Sequence, residues 1–209
     1  TIYMSDKNTD IHSKHNDGVS EKAWDGKVEP LKAGEKEMID EVVQLLEELE
    51  FPNKNKGKPG ETGGRTNILT GKEADRGKTP IRAINLGKVR NYFKSELVMS
   101  NETKKKKYIP LHNKLKQLIR KHNPSFRYTS ILINKDVGTD FHFDKNNNGF
   151  SYCIGIGNFT GGGVDFKIGN KIVNVDNKNK WLYYDGKSWE HRTAKEKGTR
   201  YAIIFYSKK

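Results

Sequence analysis

Residues 141–166 read FHFDKNNNGFSYCIGIGNFTGGGVDF. His142 and Asp144 stand two apart in this stretch. Side chains on an extended chain alternate between faces, so the imidazole and the carboxylate project to the same side. Placed so, they can take two adjacent positions on one metal ion. The residues that follow, 151–159 and 164–168, are β-rich runs parted by glycine, and Asn146 to Gly149 is a turn sequence.

The same texture continues in both directions. Runs 126–135, 171–175, 181–184 and 201–206 are short and β-rich, and Gly169-Asn170 is a hairpin turn signal. Many short strands with turn residues between them predict a sandwich or jelly roll. A third ligand has to come from outside the 142–144 pair, and His191 follows the run Trp181-Leu182-Tyr183-Tyr184. Two histidines and one carboxylate leave open coordination positions, the arrangement of non-haem Fe(II) oxygenases. Catalytic zinc also takes three protein ligands. Arg200, in Gly198-Thr199-Arg200-Tyr201, tips the choice towards iron. A guanidinium aimed into the same roll can bind a carboxylate in bidentate fashion, as a dicarboxylate cosubstrate requires.

Upstream of residue 126 the pattern is helical and loop-like. In 35–50, Met38, Val42, Leu45, Leu46 and Leu49 recur at helical spacing, and Phe51-Pro52 stops the helix. Pro110 opens a second helix over 111–122, with Leu111, Leu115, Leu118 and Ile119 on one face and His112 and His122 expected at its surface. Residues 81–98 predict a strand followed by a short helix. Residues 53–79 form a long loop rich in Gly, Lys, Asn and Thr. Its Gly77-Lys78-Thr79 is no phosphate loop, because Lys72 stands where that motif needs its first glycine. The lysine run 104–107 is either a solvated loop or a phosphate contact.

The chain has 209 residues and a hydrophobic fraction of 33%, so one domain with solvated appendages is expected. Residues 1–34 read as a polar arm, possible to leave disordered, and 35–209 as a single domain whose β core spans about 126–209. The fold class is therefore α+β, strands in the C-terminal half and packing helices from the N-terminal half. Cys153 is the only cysteine, which excludes an intramolecular disulfide and a cysteine-built zinc site. No apolar run is long enough to cross a bilayer, and residues 1–34 hold no secretion signal, so an intracellular location, nuclear or cytoplasmic, is expected. Thirty-nine basic residues against 26 acidic ones give a net charge of +13. Such an excess favours a polyanionic partner, nucleic acid above all.

The order His142-x-Asp144, His191, Arg200 resembles that of the Fe(II)/2-oxoglutarate-dependent dioxygenases. Residues 141–166, with Trp181-Leu182-Tyr183-Tyr184-Asp185-Gly186 and Gly198-Thr199-Arg200-Tyr201, look like the TET and J-base thymine hydroxylase group. The likeness covers the chain from about Phe126 onward and fades before it. It implies a double-stranded β-helix (jelly-roll) core, Fe(II) and 2-oxoglutarate as cofactors, and O2 as co-reactant. It implies that His142, Asp144 and His191 hold the metal and that Arg200 holds the far carboxylate of 2-oxoglutarate. The implied reaction is hydroxylation of the 5-methyl group of a pyrimidine in DNA. Asn147, three residues after the metal aspartate, would touch the target base; the alternative is a turn residue. Lys145 and Tyr152 complete the substrate-side expectations, and Phe143 and Trp189 are further aromatic residues able to stack on a base or to pack a core.

One departure from the pattern stands out. Many dioxygenases carry a serine two residues after the cosubstrate arginine, and here that residue is Ala202. Tyr128 or Ser130, on the strand before the metal motif, could supply the hydroxyl. Two other activities use or imitate the same frame: a protein or peptide hydroxylase, and a jelly roll that binds without catalysis. A repair dealkylase ranks lower, since its second arginine would fall at Tyr206.

Overall fold

The computed structural model describes residues 22–54, 81–91 and 93–209. In chain order these carry β1 (Lys27–Pro30), α1 (Glu35–Glu47), β2 (Arg82–Asn91), β3 (Glu96–Met99), α2 (Ile109–His122), β4 (Ser130–Lys135), β5 (Ser151–Ile156), β6 (Phe159–Gly161), β7 (Val164–Ile168), β8 (Lys171–Val175), β9 (Lys180–Tyr184), β10 (His191–Thr193), β11 (Glu196–Gly198) and β12 (Tyr201–Tyr206). A seven-stranded sheet runs in the order β1-β9-β5-β12-β4-β2-β3, beside a three-stranded sheet β10-β7-β8 and the pair β11-β6. The protein is thus mostly β-sheet with two α-helices, consistent with a jelly-roll core.

Strand alternation explains the layering. β12 sits between β4 and β5, and its residues Tyr201, Ile203 and Phe205 point to one face. That face packs with Ile131 and Ile133 of β4, Ile154 and Ile156 of β5, and Ile84 and Leu86 of β2. The two helices cover it with Ile39, Val42 and Leu46 of α1 and Leu111, Leu115, Leu118 and Ile119 of α2. Their apolar residues fall at helical spacing and form one stripe each. The other face of the sheet carries Cys153, Leu182 and Tyr184, which pack with Val164 and Phe166 of β7 and with Trp189. The small sheet therefore lies against the large one on the side away from the helices. His191 lies on this second side, packed against Phe166 and Tyr184.

The structure amends several sequence expectations. Residues 81–98 are not a strand and a helix but the antiparallel pair β2–β3, with Arg90 opposite Leu97 and Asn91 opposite Glu96. The side chain of Asn91 accepts from the amides of Phe93 and Lys94, which closes a turn where a helix was expected. The expected strand 126–135 begins only at Ser130, and 151–159 divides into β5 and β6. Part of the expected N-terminal arm is strand β1, paired with β9 from Lys27–Tyr183 to Pro30–Lys180. The rest of that arm up to residue 21, and most of the 53–79 loop with Gly77-Lys78-Thr79, lie outside the described residues.

His122 is also corrected. It is a buried residue, 2% exposed, not a surface one. Its Nδ1 lies 3.0 Å from Glu35 Oε1 and its Nε2 lies 2.7 Å from Glu29 Oε2. The Trp181 indole donates to Glu35 as well, and the Tyr152 phenol donates to Glu29. The end of α2 is thereby joined to β1 and to the start of α1, and each buried polar group in this cluster has a partner. No helix among the described residues is long and apolar enough to cross a membrane.

Candidate active site

The two segments that carry the expected ligands are sewn together by their backbones. The His142 amide donates to the His191 carbonyl at 2.9 Å, and the His191 amide donates back at 3.0 Å. The Asp144 amide donates to the Gly186 carbonyl at 2.9 Å. β10 is in turn held by β7, with His191 opposite Phe166. These pairings fix three Cα positions before any side-chain interaction is counted. The side chains then converge: His142, Asp144 and His191 each offer one ligand atom, all within 4.8 Å of one another. His142 Nε2 is 3.6 Å from Asp144 Oδ1, and His191 Nε2 is 3.6 Å from Asp144 Oδ2.

The ring orientations fit a metal. His142 Nδ1 is 2.7 Å from the carbonyl of Asp140, and His191 Nδ1 is 2.8 Å from the carbonyl of Trp189. A carbonyl only accepts, so each Nδ1 carries the hydrogen and each Nε2 presents a lone pair to the centre. Donors about 2.1 Å from one ion in adjacent octahedral positions stand about 3 Å apart, so the three side chains would draw in from their present separations on binding an ion. Burial opposes a charge on His191, but the hydrogen bond and charge of Asp144 outweigh it and hold its pKa above the ordinary histidine value. Two nitrogens and an oxygen, with no thiolate, suit iron among the redox-active metals.

Gly186 shows how tightly the carboxylate is seated. A Cβ at this position would lie 2.6 Å from Asp144 Oδ2 and 3.2 Å from both His191 Cε1 and a ring carbon of Tyr184. Only hydrogen fits between the 185–187 turn and the ligand set. Gly186→Ala is expected to push the Asp144 carboxylate out of line and weaken metal binding by about 10- to 100-fold, the range for disturbed ligand orientation. Anaerobic titration with Fe(II), and with Co(II) as a redox-stable probe, measures this, while an unchanged circular dichroism spectrum shows that the fold persists.

Asn147 is 7% exposed, and its Nδ2 donates to Asp144 Oδ2 at 3.3 Å. Its backbone pairs with Lys208 in an isolated bridge. It therefore orients the ligand carboxylate and braces the loop, and it stands at the site where the base contact was expected. Lys145 is exposed on the same loop, and Phe143, 42% exposed, is beside it.

Arg200 enters the roll from the start of β12 and is 1% exposed. Its guanidinium has only long contacts: NH1 to the Gly163 carbonyl at 3.4 Å and to the Ala194 carbonyl at 3.5 Å, and NH2 to Asn177 Oδ1 at 3.4 Å. Its Nε has no hydrogen-bond partner. The neighbouring Glu196 carboxylate reaches NH1 only at 3.9 Å, and burial raises its pKa although Arg200 pulls the other way. A buried guanidinium with only long contacts retains the capacity to bind a carboxylate. Cys153 is buried nearby, its thiol accepting from Asn177 Nδ2 at 3.3 Å. Burial pushes that thiol up to about 11, so it acts as packing and not as a nucleophile.

The structure does not bring Tyr128, Ser130 or Tyr152 to this site. Ser130 pairs with Tyr206 at the far end of β12 from Arg200, and its hydroxyl donates to the Lys88 carbonyl. Tyr128 lies on the helix side, stacked with Phe126 and edge-on to Phe205. It lines a cleft of about 430 Å³ with Lys116, Arg120, Asn123 and Arg127. Tyr152 is on the helix side too, among His122, Trp181 and Phe126, and burial, with Glu29 adding to it, pushes its phenol up to about 12. The parity of the strands decides this: Tyr152 is odd to the inward Cys153. Trp189 is core, its indole donating to Asp25 at 2.6 Å. Beside Ala202 the inward face carries Asn134 and Gly155, its ladder partners. Asn177, fully buried against Arg200 and Cys153, was missed, as were Gly186 and Glu196. Asn177 lies in the polar turn 176–179, and nothing in that composition marks it.

No protein-family model and no curated protein sequence matches the chain. Solved structures do. NgTET1 in complex with 5mC DNA superposes with a TM-score of 0.56 at 14% identity, over 88% of this chain and 72% of that one. A prolyl hydroxylase from Trichoplax adhaerens, in complex with a hypoxia inducible factor oxygen degradation domain peptide fragment, gives 0.50 at 15%, over 87% and 82%. The chain shares the fold of these two structures, a TET protein and a prolyl hydroxylase. Among the described residues, the His142–Asp144–His191 cluster is the group that could hold a metal ion.

Proposed function

We propose that the chain is an Fe(II)/2-oxoglutarate-dependent dioxygenase that hydroxylates the 5-methyl group of 5-methylcytosine or thymine in DNA, with residues 35–209 acting as one catalytic domain. The convergence of His142, Asp144 and His191, each imidazole locked by a main-chain carbonyl, carries the oxygenase part of this reading. Bound iron and 2-oxoglutarate would supply the oxidising power for attack on a C–H bond. The residues of the chain supply position. His142, Asp144 and His191 would hold the metal, with positions left for cosubstrate and O2. Arg200 anchors the distal carboxylate of 2-oxoglutarate, with Asn177 bracing the guanidinium. Asn147 keeps the Asp144 carboxylate turned towards the histidines. Tyr184, Phe166 and Leu182 wall the interior and keep water from it.

Charge supports DNA as the substrate: the net +13 suits a phosphate backbone, and the target base would have to leave the helical stack to reach the metal. A DNA substrate places the protein inside the cell, in nucleus or cytoplasm. A second reading, hydroxylation of a prolyl or other peptide side chain, draws on the prolyl hydroxylase neighbour. Incubation with Fe(II), 2-oxoglutarate and O2 separates the readings, with succinate and oxidised product followed by mass spectrometry. DNA containing 5-methylcytosine or thymine is expected to yield hydroxymethyl product, and a proline-containing peptide library is expected to yield none. Peptide hydroxylation without DNA oxidation would overturn the DNA assignment. An absence of succinate under all conditions would favour a binding protein without catalysis.

A further inference from the structure

Phe93 is the most exposed large apolar residue described, at 101% of its reference area. An apolar side chain bare at a hairpin tip and flanked by cations has the form of a wedge that inserts between base steps. It is fixed. Phe93 lies at the tip of the β2–β3 hairpin, and the Asn91 side chain accepts from its amide at 3.1 Å and from that of Lys94 at 3.3 Å. The hairpin leaves the main sheet at Gly87, where φ is +81° and a Cβ would meet the Thr129 carbonyl at 2.4 Å.

The hairpin is tied to the metal-binding loop by an unbroken chain of hydrogen bonds. Arg90 NH1 donates to the Lys209 carbonyl at 2.8 Å, and the Lys209 amide donates to the Asn146 carbonyl at 3.2 Å. Asn147 pairs with Lys208 and donates to the Asp144 carboxylate. Cations cluster along this line. Lys88 and Lys94 are exposed on the hairpin, Lys145 on the loop, and Lys187 and Lys209 beside it. Lys94 reaches one acid, Glu96, at 4.0 Å. Lys187 crowds Lys209 closely enough to depress its pKa, first by a hydrogen bond and then by charge. Like charges held together in this way are relieved by an anion.

We propose that the β2–β3 hairpin is a wedge and clamp for duplex nucleic acid: Phe93 enters the base stack beside the target while Lys88 and Lys94 take flanking phosphates. This rests on the DNA reading of the site. The wedge props open the step from which the target base leaves, and the clamp holds the backbone on either side.

The test uses the iron- and 2-oxoglutarate-loaded protein without oxygen, and a duplex with 2-aminopurine next to 5-methylcytosine. Wild type is expected to raise the 2-aminopurine fluorescence. Phe93→Ala is expected to abolish the rise and weaken duplex binding about tenfold, the worth of one base stack. Binding to the single strand, and succinate release without substrate in air, should not change. Lys88→Gln with Lys94→Gln should lower the slope of log affinity against log salt by about two. A Phe93→Ala protein that binds and unstacks the duplex like wild type overturns the wedge, and an unchanged salt slope overturns the clamp, even where wild type oxidises DNA. If wild type binds neither duplex nor single strand, the DNA reading itself fails. Phe93-dependent capture of a peptide substrate would reassign the hairpin to a protein partner.

Discussion

His191→Ala is expected to abolish turnover and to lower affinity for Fe(II) by more than about 100-fold, beyond the loss seen when only the support of a ligand is removed. The imidazole at 191 is the most buried of the three ligands, with 6% of its side chain exposed against 15% for His142 and 28% for Asp144. Its ring packs against Phe166, Tyr184 and His142, so no other side chain can swing in to replace it. Removing it also strips Asp144 Oδ2 of a neighbour and leaves two ligands that cannot define one face of an octahedron. Anaerobic Co(II) titration and iron content after reconstitution measure the loss independently of catalysis. An iron affinity unchanged by His191→Ala would refute the triad as the metal site.

Arg200→Ala is expected to act on the cosubstrate instead. Loss of a bidentate charge-assisted contact to a carboxylate costs about 2–5 kcal/mol, so KM for 2-oxoglutarate should rise by about 30-fold or more. The metal should still bind with near wild-type affinity, because Arg200 is not among the ligand atoms that converge. The alanine variant also leaves the Glu196 carboxylate without its nearest cation, so Arg200→Lys is the better-behaved companion. Lysine keeps the charge and loses the fork, and its KM should fall between the two. Equal KM values for 2-oxoglutarate in all three proteins would remove Arg200 from the cosubstrate pocket.

The convergence of His142, Asp144 and His191 was legible in part, and the local part was the pair. A two-residue spacing on extended chain dictates a shared face, and His142 and Asp144 obey it. His191 and Arg200 were placed by their order around short strands. Both helices and most of the C-terminal strands followed from periodicity, as with Leu111, Leu115, Leu118 and Ile119 on α2. What failed was parity and reach. Tyr152 is one residue from the inward Cys153, and a single step along a strand moves a side chain to the opposite face. Ser130 lies on a strand next to Arg200's own, yet opposite Tyr206 and not opposite Arg200, a register that only the ladder reveals. β1 was hidden because its burial pattern is mostly exposed, as befits an edge strand with little apolar signal. His122 read as a surface residue because the carboxylates that enclose it, Glu29 and Glu35, lie far back along the chain.

Each imidazole of the triad donates its Nδ1 hydrogen to the carbonyl two residues before it, Asp140 for His142 and Trp189 for His191. The groups that set the tautomers therefore belong to the peptide chain and not to neighbouring side chains. Amino-acid replacements at 140 or 189 would leave those acceptors in place, so the two Nε2 lone pairs should keep their aim whatever side chains surround them.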